Sequence, residues 1–240
     1  MSKLNELSVI IPVYNEVDNV ENLYLEIVAA LPENQFIFEV IFIDDGSKDG
    51  TREKLLALSA CHSNLRVLCH KQNYGQSAGL ISGAKAARYP VLVTLDGDGQ
   101  NDPADISLLF NHFSNEKVVV LGNRTKRDDN WLRKFSSRTG NTVRQLFLKD
   151  DCPDTGCSLK LFPRDAFLSL PHFNHLHRFL PALFKRAGYQ LVNVPVNHRP
   201  RWFGQSKYGV MNRLFVGIHD LIGVRWLLKR RCAPEILVNE

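Results

Sequence analysis

Two carboxylates one residue apart, Asp96 and Asp98, close the run VLVTLDGDGQNDP at residues 91–103, and a glycine follows each. Uncompensated carboxylates a few ångströms apart repel, and a divalent cation relieves that repulsion. Hard oxygen donors suit Mg2+ or Mn2+, which commonly bridge a few carboxylates to substrate phosphates. The glycines remove side-chain bulk, so a large ligand can approach the backbone. The stretch reads as a site for a metal carrying a diphosphate. A plain Asp/Gly turn is the bland alternative for the tripeptide alone.

Other acidic motifs fit less well. An EF-hand loop would need Glu at position 12, where Ser107 stands. A haloacid-dehalogenase-type phosphatase also places DxDG after a strand, but near the start of its domain. Here several strand–helix units come first. No GxGxxG follows the first apolar run, which argues against a dinucleotide site.

The elements that must position these acids are legible as alternating patterns. LSVIIPV (7–13), FEVIFID (38–44), LRVLCH (65–70), VLVTLD (91–96) and KVVVLGN (117–123) read as strands. Their nearly continuous apolar character suits strands covered on both faces. Helical patterns lie between them near 18–31, 51–62, 76–88 and 103–115. The alternation predicts right-handed βαβ units and a mostly parallel α/β sheet. Later strands are expected in CSLKLF and QLVNVPVNH, with a helix at 176–187 between them. Ligands of such sheets bind beyond the carboxyl ends of the strands. There the first strand places Pro12, Tyr14, Asn15 and Glu16, the second Asp44 and Asp45, and the fourth Asp96, Asp98 and Gln100.

Composition narrows the class. The 240 residues are 44% hydrophobic with a formal charge of +5, so a folded core is expected rather than wholesale disorder. Between Arg199 and Arg231 there are eight Lys or Arg residues against one acid, Asp220. Such a tail could meet phosphates, an anionic membrane or simply water. It lacks the aromatic–basic ladder of a nucleic-acid binder, so no nucleic-acid partner is expected. The five cysteines show neither CxxC pairs nor a disulfide framework. No apolar signal core opens the chain, and no uncharged run approaches the roughly 18 residues of a membrane span. A reducing, cytoplasmic location is expected, peripheral on the cytoplasmic membrane face.

Together, VIIPVYNE, FIDDGSKDGT, NYGQSAGLISGAKAA and LDGDGQNDP resemble the family 2 glycosyltransferases of GT-A fold. The nearest resemblance is to the dolichol-phosphate-mannose-synthase-like branch, which glycosylates polyprenyl phosphates. DTGCSLKLFPRDAF, HRFLPAL and HRPRWFGQSKYG support the same branch. The resemblance implies a transferase domain over 1–209, with a nucleotide-sugar half (1–123) and an acceptor half (124–209). A basic amphipathic helical segment (210–240) follows.

The resemblance further implies that Pro12, Tyr14, Glu16 and Asp45 hold the base and ribose of a UDP- or GDP-linked sugar. Asp96, Asp98 and Gln100 would bind Mg2+ or Mn2+ and the donor diphosphate. Arg124, Arg133, Ser137, Arg199, Arg201 and Lys207 would meet the acceptor phosphate, with Arg127 and Arg138 as substitutes for Arg133. Asp96, Asp98 and Arg201 would be the catalytic set, in an inverting hexosyltransferase of cell-envelope glycan synthesis. Transfer to a saccharide or lipid hydroxyl is the alternative activity, and a non-catalytic binding protein the alternative class.

The remaining residues read more simply. A phosphate acceptor is already ionised, so Asp154 is expected to position substrate or cap a helix rather than act as base. Cys152 and Cys157 read as packing residues. His172, His175 and His177 match no zinc-protease pattern and read as surface or acceptor-side groups. Met211, Leu214, Phe215, Ile218, Leu221 and Ile222 recur at helical spacing, open to core packing or membrane contact. Trp226 beside Arg225 and Lys229 favours an interfacial helix.

Overall fold

A computed structural model of the chain describes residues 5–124, 144, 145, 147–201 and 210–230, with side chains of the last helix described from residue 217. Seven strands form one sheet: β1 (Glu6–Val13), β2 (Ile37–Asp44), β3 (Leu65–Cys69), β4 (Val91–Thr94), β5 (Val118–Arg124), β6 (Lys160–Pro163) and β7 (Gln190–Val196). Their order is β3-β2-β1-β4-β6-β5-β7. β6 is antiparallel to both neighbours, and the other pairs are parallel. This is the mixed α/β architecture of the GT-A fold.

Alternation along β1 builds two cores, as a pleat of period two requires. Leu7, Val9, Ile11 and Val13 join Leu23, Ile27 and Leu55 from α1 (Val20–Ala30) and α2 (Thr51–Cys61) on one face. Ile10 faces the other way, with Ile41 and Ile43 of β2. There it meets Leu80 and Ala84 of α3 (Gln76–Ala86) and a cluster of Phe162, Phe167 and Phe184. α4 (Asp105–Phe110) covers the first face. α5 (Arg164–Leu168) and α6 (Leu180–Arg186) cover the second.

Helix α3 lies unusually close to β1. A Cβ at Gly83 would stand 2.5 Å from Ile10 Cγ2, and one at Gly79 would stand 2.8 Å from Pro12 Cβ. Both glycines therefore serve close packing, which sets the start of α3 beside the end of β1.

Differences from the sequence reading have local causes. β4 ends at Thr94 rather than residue 96, because its pairing with β1 stops at Ile10. The chain then peels over the end of β1, and a Cβ at Gly97 would stand 2.5 Å from Val13 Cγ1. The helix expected at 176–187 divides into a 3-10 turn, Leu176–Arg178, and α6, with Pro181 in the first turn of α6. The helix expected over 103–115 is only Asp105–Phe110. Helix α5 was not foreseen. The strand expected over 157–162 is shifted to Lys160–Pro163.

The last helix, α7 (Val210–Lys229), buries Val224, and Leu221, Leu227 and Leu228 pack against the second core. Its outer side is apolar as well: Ile218, Ile222 and Trp226 are 47%, 59% and 60% exposed. The described part thus carries an exposed apolar stripe beside the exposed cations Arg225 and Lys229.

Candidate active site

From β1 the chain steps outward to β2 and β3, then returns to β4 on the other side of β1. Such a reversal opens a crevice at the carboxyl ends of the two diverging strands. Asp96 and Asp98 follow β4 at this point, and Tyr14 and Glu16 follow β1.

Asp98 is buried and Asp96 half-buried. Gln76 Nε2 donates to Asp96 Oδ1 at 2.6 Å. Burial first, and the Asp98 carboxylate second, push the Asp96 pKa up to about 6, against the opposing pull of Ser158, Lys160 and Arg124. Asp98 Oδ1 accepts the Gln100 N–H at 3.2 Å, and Asp98 Oδ2 accepts from Arg201 Nη2 at 2.7 Å.

The described residues hold no group of three or more His, Cys, Asp or Glu side chains arranged for a metal. The two carboxylates, with the Gln100 backbone N–H on Asp98, nevertheless have the hard-oxygen donor chemistry that suits Mg2+ or Mn2+. The fit rests on charge: Asp98 draws a guanidinium onto itself and raises the pKa of Asp96, so the pair favours a cation.

The loops after β1 and β2 zip together. Asn15, at φ 54, donates its N–H to Ser47 Oγ at 2.9 Å and accepts the Lys48 N–H at 2.8 Å. Glu16 donates its N–H to Thr51 Oγ1 at 2.9 Å, and its carboxylate accepts from Asn19 Nδ2 at 2.6 Å. Arg201 approaches Glu16 at 3.9 Å. Pro12 and Tyr14 are half-buried on the same rim.

Asp44 and Asp45 both have protein partners. Asp44 holds the Ser47 N–H and Arg52 Nε, at 3.0 and 2.8 Å. Asp45 Oδ1 accepts the Tyr74 N–H at 2.9 Å and lies 2.7 Å from His70 Nδ1, while Oδ2 accepts the Gly75 N–H at 2.7 Å. A carboxylate has about four acceptor sites, so these three contacts leave Asp45 room for one more donor.

On the acceptor side, Arg124 forms a two-pronged pair with Asp154, Nε to Oδ2 at 2.7 Å and Nη2 to Oδ1 at 2.8 Å. Arg199 clasps Glu26 at 2.9 Å and also pairs with Asp102. Its N–H donates to the Gln100 carbonyl, and the next segment sends Arg201 to Asp98. Residues 197–201 thus strap the loop that carries the two acids, with the Asn197 N–H donating to Asp105 at 2.7 Å. Arg133, Ser137 and Lys207, like Arg127 and Arg138, lie outside the described residues.

These features meet independent likenesses. The description of glycosyl transferase family 2 matches residues 8–170. The chain belongs to that family. The undecaprenyl-phosphate 4-deoxy-4-formamido-L-arabinose transferase of Sodalis glossinidius (strain morsitans) is 32% identical over 221 residues, 92% of this chain and 68% of that protein. Its namesake from Edwardsiella ictaluri (strain 93-146) is 32% identical over 218 residues, 90% of this chain and 66% of that protein. The chain therefore spans about two thirds of these relatives' length.

Among solved structures, mannosyltransferase PcManGT from Pyrobaculum calidifontis, in complex with GDP-Man and Mn2+, superposes with TM-score 0.67 at 21% identity. That match covers 95% of this chain and 65% of the other. Glucosyl-3-phosphoglycerate synthase from Mycobacterium tuberculosis, with Mg2+ and UDP, gives 0.68 at 18% identity, covering 93% and 79%. Family 2 membership makes this chain a glycosyltransferase.

Three residues around Asp96 escaped the sequence reading of this family 2 chain. Gln76 looked like an ordinary first helical residue. Ser158 and Lys160 sat in an expected strand. Lys160 is only 4% exposed, and its ammonium donates to the Cys157 carbonyl. A single lysine inside the apolar run SLKLF was the available signal. Cys152 and Cys157 are buried, as expected of packing residues. His177 Nδ1 meets Ser77 Oγ at 2.8 Å, and His175 Nδ1 meets Asp220 at 2.9 Å.

Proposed function

We propose that this glycosyltransferase moves one sugar from a UDP- or GDP-linked donor to a polyprenyl phosphate of undecaprenyl or dolichyl type, inverting the anomeric centre. The observation that carries the reading is the placement of Asp96 and Asp98 at the β1/β4 crevice, with Arg201 on Asp98. The names of the two relatives supply the class of acceptor, and the solved neighbours bound to UDP or GDP-Man supply the class of donor.

Asp96, Asp98 and Gln100 would hold Mg2+ or Mn2+, which supplies Lewis acidity to the departing diphosphate. Pro12, Tyr14, Glu16 and the remaining acceptor site of Asp45 face the base and ribose. Arg201 stands between the two anionic substrates, where a guanidinium matches phosphate oxygens with paired hydrogen bonds. We assign the acceptor phosphate to Arg201 with Arg133, Ser137 and Lys207. Arg124 and Arg199, which like Arg201 pair with carboxylates, complete that cationic side.

Asp154 favours the phosphate acceptor over a sugar hydroxyl. A hydroxyl nucleophile needs a base, and Asp154 gives both oxygens to Arg124. The lipid phosphate is already ionised, so it attacks without one. In this reading residues 1–123 serve the donor and 124–209 the acceptor. Residues 210–240 rest on the cytoplasmic membrane face through Ile218, Ile222 and Trp226.

Incubation with UDP- and GDP-sugars, Mg2+ or Mn2+ and undecaprenyl phosphate, followed by mass spectrometry, tests the proposal. A glycosyl phospholipid is expected. Asp98→Asn is expected to lower the rate roughly 100-fold or more without loss of helix signal. A variant as fast as the parent would sink the reading.

A further inference from the structure

Gln76 opens α3, and its amide donates to Asp96, Nε2 to Oδ1 at 2.6 Å. An amide suits this task. It donates a hydrogen bond without bringing charge, so it fixes the rotation of a carboxylate without competing with a cation for it. A lysine at the same place would neutralise the acid instead.

The residues just before Gln76 are clamped. Gly75 has φ 90, and the N–H groups of Tyr74 and Gly75 both end on Asp45. His70 Nδ1 lies 2.7 Å from Asp45 Oδ1, and His70 Nε2 lies 2.9 Å from Ser82 Oγ on α3 itself. Asp45 extends from the end of β2 and His70 from the end of β3. Two strand ends therefore hold the turn that aims Gln76 at a third.

We propose that Gln76 is a positioning residue for the metal-binding acid Asp96, kept in register by the Asp45–His70 clamp. The inference rests on the metal site of the proposed function. Groups that orient a metal ligand typically contribute 10- to 100-fold in metal affinity. The same scale is expected here.

The test uses the purified full chain, Mn2+ as the probe, and UDP or GDP, whichever binds. Mn2+ affinity is read by electron paramagnetic resonance in the presence of the nucleotide. Nucleotide affinity is read separately in EDTA. Gln76→Leu is expected to weaken Mn2+ binding roughly 10- to 100-fold, with nucleotide affinity in EDTA and melting temperature unchanged. Gln76→Asn keeps the polarity but shortens the reach. It is expected to show the same loss, and it carries the test if the leucine variant does not fold. Parental Mn2+ affinity in the variants overturns the proposal. So does a parallel fall in metal-free nucleotide affinity, which a merely structural role would produce. If the parent chain binds no Mn2+ with either nucleotide, the metal reading itself falls and this inference with it.

Discussion

Arg124 and Asp154 show how one pair can decide what several residues do. Arg124 is engaged through Nε and Nη2 by a carboxylate that is itself 6% exposed. Removing one member strands the other charge away from water, which costs about 3–5 kcal/mol for a buried pair. Asp154→Ala is expected to lose stability on that scale in urea unfolding, and an unchanged midpoint would contradict the pairing. His177 makes a second residue-level prediction. Burial first, then the neighbouring Arg178, Lys160 and His175, bring its pKa from 6.5 down to about 3. Between those values the unfolded chain takes up a proton that the folded chain refuses. The stability given by neutral His177 is complete above about 6.5 and is lost as pH falls toward 3. The melting temperature of His177→Gln should therefore fall less between pH 7 and pH 5 than that of the parent. Sequence revealed the acids at 96 and 98 because type and spacing carry their chemistry. It could not reveal that Arg124 meets Asp154 or that Arg199 meets Glu26, which lie 30 and 173 residues away along the chain.

At the scale of elements, the parallel strands were readable because each is an unbroken apolar run bounded by polar turns. The fate of the stretch after residue 150 was not. β6 inserts antiparallel between β4 and β5, a choice made by tertiary pairing rather than by its own four residues. The split of the 176–187 segment at Phe179 likewise goes with Pro181 in the first turn of α6, a detail that helical periodicity passes over. The glycines of α3 serve packing, as their distances to Pro12, Ile10 and Ile43 show. Gly83→Ala would press a methyl into Ile10 and Ile43. A cost of about 1–3 kcal/mol is expected by chemical denaturation, as for other overpacked cores. Equal stability would mean that α3 can lift from the sheet without penalty.

For the whole molecule, the open question of the last helix becomes a question about faces. Its inner side packs through Val224 and Leu221. Its outer side offers Ile218, Ile222 and Trp226, with Arg230 lying over the Trp226 ring at 5.8 Å. Close by, Arg225 covers the exposed Phe147 ring at 5.2 Å. Among the described residues no helix is long and apolar enough to cross a membrane. An apolar ridge with cations beside it instead suits an anionic surface. Ile222→Ser with Trp226→Ser leaves the inner side intact. It is expected to lower sedimentation with phosphatidylglycerol vesicles by about tenfold or more, given roughly 1.5–3 kcal/mol per large apolar side chain removed from water. Unaltered sedimentation would exclude this face. The first turn of α3 carries a last consequence. Gln76 and Ser77 are adjacent, yet one answers to Asp96 and the other to His177, a hundred residues downstream. A chimera spliced at residue 124, taking its latter portion from a cousin with a different acceptor, would inherit a mismatched handshake. The transplantable unit is discontinuous, and a successful graft must bring its own counterpart of Ser77 along with the segment around His177.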